Sequence, residues 1–342
     1  MKIINWNING LKSFYKQEKK MIYMIGMINT HNPDIIFFQE TKLSDTDIKN
    51  LPSMMKTFQD FGYICIINNS YKRGYAGVAA LCKPHIFGLD TDYKTILEQF
   101  ENKIIFREKF DDNRKTVFKI IGSKNGKVYD YLISNTESSI ITSVINKISM
   151  DWNGIDSYNY AEINEGDESG RLRICGRTIT IETPKYYILS NYVQNSGSVL
   201  AMLKYREEWD KNIHKYINYL ETDSSNPNPK PVIWCGDLNV VREVIDITDM
   251  QRHINKSAGC MDSERFQFEN ILVGRKDAFR VINGNKIKYS WWSNFNNART
   301  NNRGWRLDYF IIPEKCTEDI HKCDILDDIM GSDHAPIVIE IN

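Results

Sequence analysis

The sequence predicts an α/β fold in which two sheets pack face to face between flanking helices. Three observations carry this expectation. Segments with period-two apolar patterning alternate with segments of helical spacing along most of the 342 residues. Polar residues cluster just beyond the strand-like segments, where a sheet displays side chains at its edge. A hydrophobic content of 42% supplies a sizeable core and argues against disorder. Sheets buried on both faces and covered by helices satisfy this pattern. A prior of about 150 residues per domain would allow two domains, but large sandwiches exceed it, and the chain is read as one domain over residues 1–342.

Lys2 to Asn9 opens the series as a strand, with Ile4, Trp6 and Ile8 on one face and Asn5, Asn7 and Asn9 on the other. A helix is expected around Glu18 to Asn29. Pro33 ends it, and Asp34 to Glu40 reads as a buried strand finishing in a carboxylate. Ser44, with Asp47 three residues on, is a variant capping box for the next helix. Tyr63–Ile67 and Val78–Cys82 are strands joined by a loop holding Gly74 and Gly77. The stretch from about 88 to 167 is polar and is expected to be an inserted subdomain or a set of elongated loops. Within it, Val117–Ile121 and Val128–Ile133 flank a glycine-containing turn and suggest a hairpin, and Ile140–Ile148 suggests a helix. Regular order then returns: paired strands at Arg177–Glu182 and Tyr186–Tyr192, a long helix over Val199–Leu220, and an Asn/Pro-rich loop from Ser224 to Pro231. A buried strand at Val232–Gly236, a helix at Ser263–Leu272, and closing strands at Leu307–Ile312 and Ile337–Ile341 complete the chain.

Lys+Arg and Asp+Glu each total 44, so the formal net charge is +0. That balance gives nucleic-acid binding no support, yet it can hide a basic face beside an acidic site. The 7 cysteines are odd in number and contain no CxxC pair, which argues against a disulfide framework and a cysteine zinc site. The N-terminus reads straight into a strand, and no apolar run reaches membrane-spanning length. A soluble intracellular protein of the nucleus or cytoplasm, a viral factory included, with no secretion signal and no membrane partner, is the expectation.

Polar groups fall at five strand ends: Asn7; Glu40; Asp237 with Asn239; Asp308; and Asp333 with His334. Carboxylates and amide oxygens suit a hard cation such as Mg²⁺, whereas one histidine among carboxylates is a poor zinc set. Each residue taken alone has a plainer explanation. Asn7 and Asn239 fit turns or caps, Glu40 a solvated charge, Asp308 an ion pair with Arg306, and His334 a structural histidine. The chemical reading rests on their occurring together in order.

Seven segments in order carry a family resemblance. They are Trp6-Asn7-Ile8-Asn9-Gly10-Leu11, Gln39-Glu40-Thr41-Lys42, Gly74-Tyr75-Ala76-Gly77-Val78-Ala79, Asn191-Tyr192-Val193-Gln194-Asn195-Ser196-Gly197, Gly236-Asp237-Leu238-Asn239-Val240, Asn302-Arg303-Gly304-Trp305-Arg306-Leu307-Asp308-Tyr309-Phe310 and Gly331-Ser332-Asp333-His334-Ala335-Pro336-Ile337. Together they resemble the exonuclease III type of abasic endonuclease, of the endonuclease/exonuclease/phosphatase superfamily. The resemblance spans nearly the whole chain apart from the stretch at about 88–167. It implies a four-layer α/β sandwich and a class II abasic endonuclease: a monomer that hydrolyses the phosphodiester 5′ to an abasic site in double-stranded DNA. Mg²⁺ would serve as cofactor with Mn²⁺ as a substitute, a 3′-OH would be left, and 3′-phosphodiesterase or 3′→5′ exonuclease activity would accompany the incision.

By the same resemblance, Glu40 would hold the metal with Asn7, Asn9 and Asp333 nearby. Asp237 would orient or deprotonate water and Asn239 would fix that geometry. Asp308 would hold His334 against the phosphate, with Tyr192 at the phosphate or leaving group. Aromatic and basic residues interleave in Trp291 to Arg299 and again at Gly304 to Arg306. Taken alone, a strand edge and its loop with core aromatics is the favoured reading. The resemblance instead implies a DNA surface: Phe266 and Trp305 walling a pocket for an extruded base-free sugar, and Phe295 as a wedge. Lys42, Arg73, Arg171, Asn195, Trp291, Asn297 and Arg299 would be further contacts. Ser198 and Gln194 depart from the family pattern and imply an altered grip on DNA. Two alternatives remain open here: a superfamily phosphoesterase acting on RNA 3′ ends, phospholipid or inositol phosphate, and a catalytically inactive DNA-binding scaffold.

Overall fold

The computed structural model describes residues 1–43, 45–70, 72, 74–110, 116–124, 127–131, 139–150, 157–158, 173–174 and 176–342. Its strands are β1 (Lys2–Asn7), β2 (Ile35–Gln39), β3 (Ile64–Asn68), β4 (Val78–Cys82), β5 (Lys103–Phe110), β6 (Thr116–Lys124), β7 (Lys127–Tyr131), β8 (Ile148–Ser149), β9 (Ser157–Tyr158), β10 (Arg173–Ile174), β11 (Thr178–Glu182), β12 (Tyr187–Tyr192), β13 (Val232–Asp237), β14 (Arg275–Asp277), β15 (Asp308–Pro313), β16 (Ile320–Ile325) and β17 (Ile337–Ile341). Its helices are α1 (Leu11–Lys16), α2 (Glu18–His31), α3 (Leu51–Asp60), α4 (Tyr93–Phe100), α5 (Ser139–Ile145), α6 (Leu203–Thr222), α7 (Met250–His253), α8 (Asp262–Ile271) and α9 (Ala278–Asn283).

The strands form a nine-stranded sheet in the order β16-β17-β1-β2-β4-β3-β5-β6-β7 and a six-stranded sheet in the order β14-β15-β13-β12-β11-β8, with β9 and β10 as a separate pair. Strand periodicity sorts the side chains. On the large sheet, Ile4, Trp6, Ile36 and Phe38 point outward onto Phe14, Met24, Met55 and Phe58 of α1, α2 and α3. On the small sheet, Leu189, Trp234 and Ile311 point outward onto Trp209, Ile213 and Phe268 of α6 and α8. Residues of opposite parity, among them Ile3, Ile35, Phe37, Ile188, Ile233, Phe310 and Ile312, meet between the sheets. The expected helix, sheet, sheet, helix order is therefore present.

The inner rows share a further pattern. Ile3 is followed on the same face by Asn5 and Asn7, Phe37 by Gln39, Ile188 by Ser190 and Tyr192, and Ile233 by Cys235 and Asp237; β15 runs the other way from Asp308 to Phe310 and Ile312. The space between the sheets thus turns from apolar to polar toward one end. Gln39 begins the change, with Nε2 donating to Asn5 Oδ1 at 2.6 Å and Ser190 Oγ at 2.9 Å.

Several expectations are corrected. The described part of the stretch from 88 to 167 is neither a subdomain nor loose loops. β5 pairs parallel with β3, and β6 and β7 continue the large sheet as an antiparallel hairpin. β8 pairs with β11 at the edge of the small sheet. The long helix starts at Leu203 rather than Val199, because Val199 and Leu200 hold φ values of 50° and 61° that helix cannot accommodate. The helix after Pro33's strand is preceded by a 3₁₀ turn at Asp45–Asn50, and Ser44 lies outside the described residues. α1, α4, α7, α9, β5, β8, β9, β10, β14 and β16 have no counterpart among the expected elements. Among the described residues six cysteines are unpaired and buried, and no helix is long and apolar enough to cross a membrane.

Candidate active site

Tyr192 pairs in register with Asp237, and Asp237 with Asp308, so three site residues occupy one rung of β12, β13 and β15. Asn7 and Gln39 make the facing rung of β1 and β2. Both rungs lie at the polar end of the inner face. The chain leaves several of these strands in left-handed backbone: φ is 48° at Asn9, 50° at Glu40, 53° at Lys42 and 48° at Asn239. Asparagine tolerates that region, but glutamate and lysine adopt it at a cost of about 1–3 kcal/mol, a strain that concentrates at functional sites.

Asn7 ties the sheets together. Its Nδ2 donates to Glu40 Oε1 at 3.0 Å and to Asp237 Oδ2 at 2.9 Å, while its Oδ1 accepts from the Asn9 N–H at 3.1 Å. Asn9 donates to Asp333 Oδ1 at 2.9 Å, and Lys42 reaches both Asn9 Oδ1 and Glu40 Oε2, the latter at 2.9 Å. Asn239 steadies Asp237 through its backbone N–H at 3.1 Å and its Nδ2 at 3.4 Å, and its own Oδ1 accepts from Asn195 at 2.9 Å.

His334 stands opposite. Its Nδ1 is 2.8 Å from Asp308 Oδ2 and its Nε2 is 3.7 Å from Asp237 Oδ2. Burial opposes the charged ring, but the carboxylates of Asp308 and Asp237 outweigh it and raise the imidazole pKa to about 10. Burial pushes the Asp237 carboxyl up to about 7, against the pull of His334 and with help from Asp308 and Glu40. Burial, reinforced by the Glu40 charge, also holds the Tyr192 phenol well above its ordinary value, with Arg177 opposing. Asp333 goes the other way: burial is overcome by His334 and by hydrogen bonds from Asn9 and Ser332, and its carboxyl lies below the usual range.

These residues open into a pocket of about 240 Å³ lined by Glu40, Tyr192, Asn195, Asp237, Asn239 and His334, among others. Trp291 and Trp305 wall it and meet edge to face with ring centroids 5.6 Å apart. Backbone bridges place Trp291 between Trp305 and His334, and Trp291 Nε1 donates to Asp333 Oδ2 at 3.3 Å.

The other expected contacts are more scattered. Phe295 is 77% exposed on a surface turn and Phe266 is 63% exposed on α8; neither lines the pocket. Asn297 is exposed in a left-handed turn. Arg299 stacks over Trp292 and donates to the carbonyls of Ser332, Asp327 and Ile329 at 3.0, 2.9 and 2.8 Å, which ties down its guanidinium. Arg73 and Arg171 lie outside the described residues. Two residues were missed by sequence reasoning. Arg177 is buried between the rings of Tyr75 and Tyr192, and Ser290 hydrogen-bonds Asp308. Neither residue stands in a local motif, and both contacts are made across long stretches of sequence or between strands.

The oxygen-rich donor set of Glu40, Asn7, Asn9 and Asp333 fits a hard divalent cation. Among the described residues, Asp237, Asp308 and His334 bring potential ligand atoms within 4.8 Å of one another, although His334 Nδ1 is already engaged by Asp308.

Residues 4–334 match the model of the Endonuclease/Exonuclease/phosphatase family. The chain belongs to that family. It is an enzyme of the phosphoester-hydrolase class, and the resemblance read from its motifs is borne out. Curated relatives include an exodeoxyribonuclease of Bacillus subtilis, 29% identical with both chains covered in full. Another is the DNA repair nuclease APEX1 of Danio rerio, 27% identical over 99% of this chain and 81% of that one. Among solved structures, an AP endonuclease from Leishmania major superposes with a TM-score of 0.66 at 24% identity, covering 100% of this chain and 87% of that one. That likeness shows the shared fold.

Proposed function

We propose that this protein is a DNA-repair endonuclease that hydrolyses the phosphodiester 5′ to an abasic site in duplex DNA and leaves a 3′-OH. One observation carries the reading. A small pocket joins a charged floor of Asp237, His334 and Glu40 to a wall of Trp291 and Trp305. At about 240 Å³ it suits a base-free sugar and its phosphate, and extrusion of that sugar costs least where no base must be unstacked. The names of the Bacillus and Danio relatives point to the same substrate class.

The geometry supports the following roles. Asp237 takes the proton of the attacking water, since its carboxyl titrates at about 7 and is fixed by Asn7 and Asn239. His334, charged up to about pH 10, holds its Nδ1 proton on Asp308 and presents Nε2–H to the phosphoryl oxygen as negative charge builds. Tyr192 stays protonated and is a donor at the phosphate or leaving oxygen. Glu40 would hold Mg²⁺, or Mn²⁺ in its place, with Asn7, Asn9 and Asp333 around it. The bound ion supplies charge neutralisation at the phosphate and leaving oxygen. Lys42, Asn195, Trp291, Trp305, Phe295, Phe266, Asn297, Arg299, Arg73 and Arg171 make up the proposed DNA-facing set, and the protein is proposed to act as a monomer.

The test is a duplex bearing one tetrahydrofuran abasic mimic, incubated with Mg²⁺ or with EDTA. A single metal-dependent incision 5′ to the lesion is expected. An intact mimic together with cleavage of phospholipid or poly(A) would overturn the reading.

A further inference from the structure

The Asp308 carboxylate is held through one of its oxygens, and one of the side chains that holds it, Ser290, lies outside the pocket. Asp308 uses one oxygen twice. Oδ2 accepts from His334 Nδ1 at 2.8 Å and from Ser290 Oγ at 2.7 Å, while Oδ1 has no hydrogen-bond partner. Ser290 is fully buried. Its Oγ also accepts from the backbone N–H groups of Leu307 at 2.9 Å and Asp308 at 3.1 Å. A hydroxyl carries one proton and two lone pairs. With an N–H on each lone pair, the proton has one destination, Asp308 Oδ2. The direction of that bond is therefore fixed by valence.

We infer that Ser290 is a positioning residue for the reaction: its hydroxyl locks the rotation of the Asp308 carboxylate, and through Asp308 it fixes the imidazole of His334. The main chain of Ser290 has a separable task. Its N–H donates to the Trp305 carbonyl at 2.9 Å, and its carbonyl accepts from the Ala335 N–H at 2.7 Å. Those bonds hold the aromatic wall and the His334 loop, and they need no side chain. Removing the hydroxyl therefore loosens the Asp308–His334 pair while leaving the Trp291–Trp305 wall in place. Supporting hydrogen bonds of this kind around a site are worth about 10–100-fold in activity.

The kinetic consequence rests on the abasic-endonuclease reading; the spectroscopic one does not. The experiment compares the full-length wild type with Ser290→Ala, Ser290→Thr, Asp308→Asn and the Ser290→Ala/Asp308→Asn pair. It records kcat and KM on the tetrahydrofuran duplex with Mg²⁺, thermal unfolding, and the proton NMR signal of the His334 ring N–H, identified by its absence in His334→Gln. In Ser290→Ala, kcat is expected to fall about 10–100-fold with KM near the wild-type value, and the ring proton signal to shift or vanish. Ser290→Thr, which returns the hydroxyl, should recover both. The double variant should be no slower than Asp308→Asn alone, because the hydroxyl acts through that carboxylate. An unchanged kcat and ring signal in Ser290→Ala overturns the inference, as does a loss that tracks only a collapse of cooperative unfolding. A wild type that spares the abasic duplex, while its His334 signal still responds to Ser290→Ala, counts against the proposed substrate and supports the positioning role.

Discussion

At the scale of single residues, the proposed mechanism uses two ionisations that the site sets apart. Asp237 and His334 face each other at 3.7 Å, yet burial raises the first to about 7 and neighbouring carboxylates raise the second to about 10. A base must be deprotonated and an electrostatic donor must be charged, so activity with the cation bound should climb as Asp237 sheds its proton below about pH 7, the value its carboxyl takes without the ion. It should then hold, and fall as His334 loses its proton through about pH 10. A cation bound beside Glu40 moves the acid limb to lower pH. The alkaline limb should disappear in His334→Gln, with the remaining rate down by about 10²–10⁴-fold, and Asp237→Asn should lose a similar factor together with the acid limb. A pH series of kcat for the three proteins checks this, and an alkaline limb that survives in His334→Gln removes His334 from its assigned role. The residues of this machinery were legible because each stands at a strand end within a motif. Ser290 was not: its importance comes from the N–H groups of Leu307 and Asp308, and local patterning cannot show a contact across 17 residues.

At the scale of elements, the strands are placed by close backbone approach as well as by apolar patterning. Gly236, just before Asp237, has a φ of 145°, and a Cβ there would lie 1.9 Å from the Asn191 carbonyl oxygen. That oxygen belongs to the neighbouring strand, which pairs with β13 in register at this point. Gly236→Ala must therefore part β12 from β13 at the Asn191–Gly236 rung, next to the one that carries Tyr192 and Asp237. A loss of more than about 4 kcal/mol, the range of exceptional single mutations, is expected in denaturant unfolding, together with loss of incision. Gly274→Ala is the control. Its φ of 75° also disfavours alanine, but nothing lies within 4 Å of the added carbon, so a cost of about 1 kcal/mol is expected. Equal costs at the two positions would show that backbone conformation, rather than strand contact, is what Gly236 supplies. The long buried strands were read correctly because alternation marks them. β14 is only Arg275–Asp277 and β16 carries a register shift between Ile320 and Lys322, so neither leaves a clean period. The start of α6 was misplaced because Val199 and Leu200 continue an apolar run whose backbone turns left-handed.

At the scale of the whole molecule, the stretch from 88 to 167 reads as an inserted subdomain or a set of elongated loops because its sequence is polar and carries no motif. Its described strands say otherwise. Ile104, Phe106 and Ile121 join the apolar layer under α3, while Ile105 and Ile120 join the core between the sheets. Ile141, Val144, Ile148 and Met150 add to that second cluster. Fully burying a side chain of this size is worth about 1.5–3 kcal/mol, so five or more of them match the whole net stability of a typical domain, about 5–15 kcal/mol. Removal of residues 93–150 with a short Gly/Ser bridge is therefore expected to leave a protein without a cooperative unfolding transition. The informative comparison is a set of polar substitutions that leave the chain length intact: Ile105→Asn, Ile120→Asn and Val144→Asn. Each buries an amide among apolar neighbours and should lower the single unfolding midpoint for the entire chain, incision activity being lost at the same denaturant concentration as the fold. Two separable transitions, with activity surviving the first, would mean that this stretch is an appendage; a single shared transition makes it part of the frame that holds Tyr192, Asp237 and Asp308 on one rung.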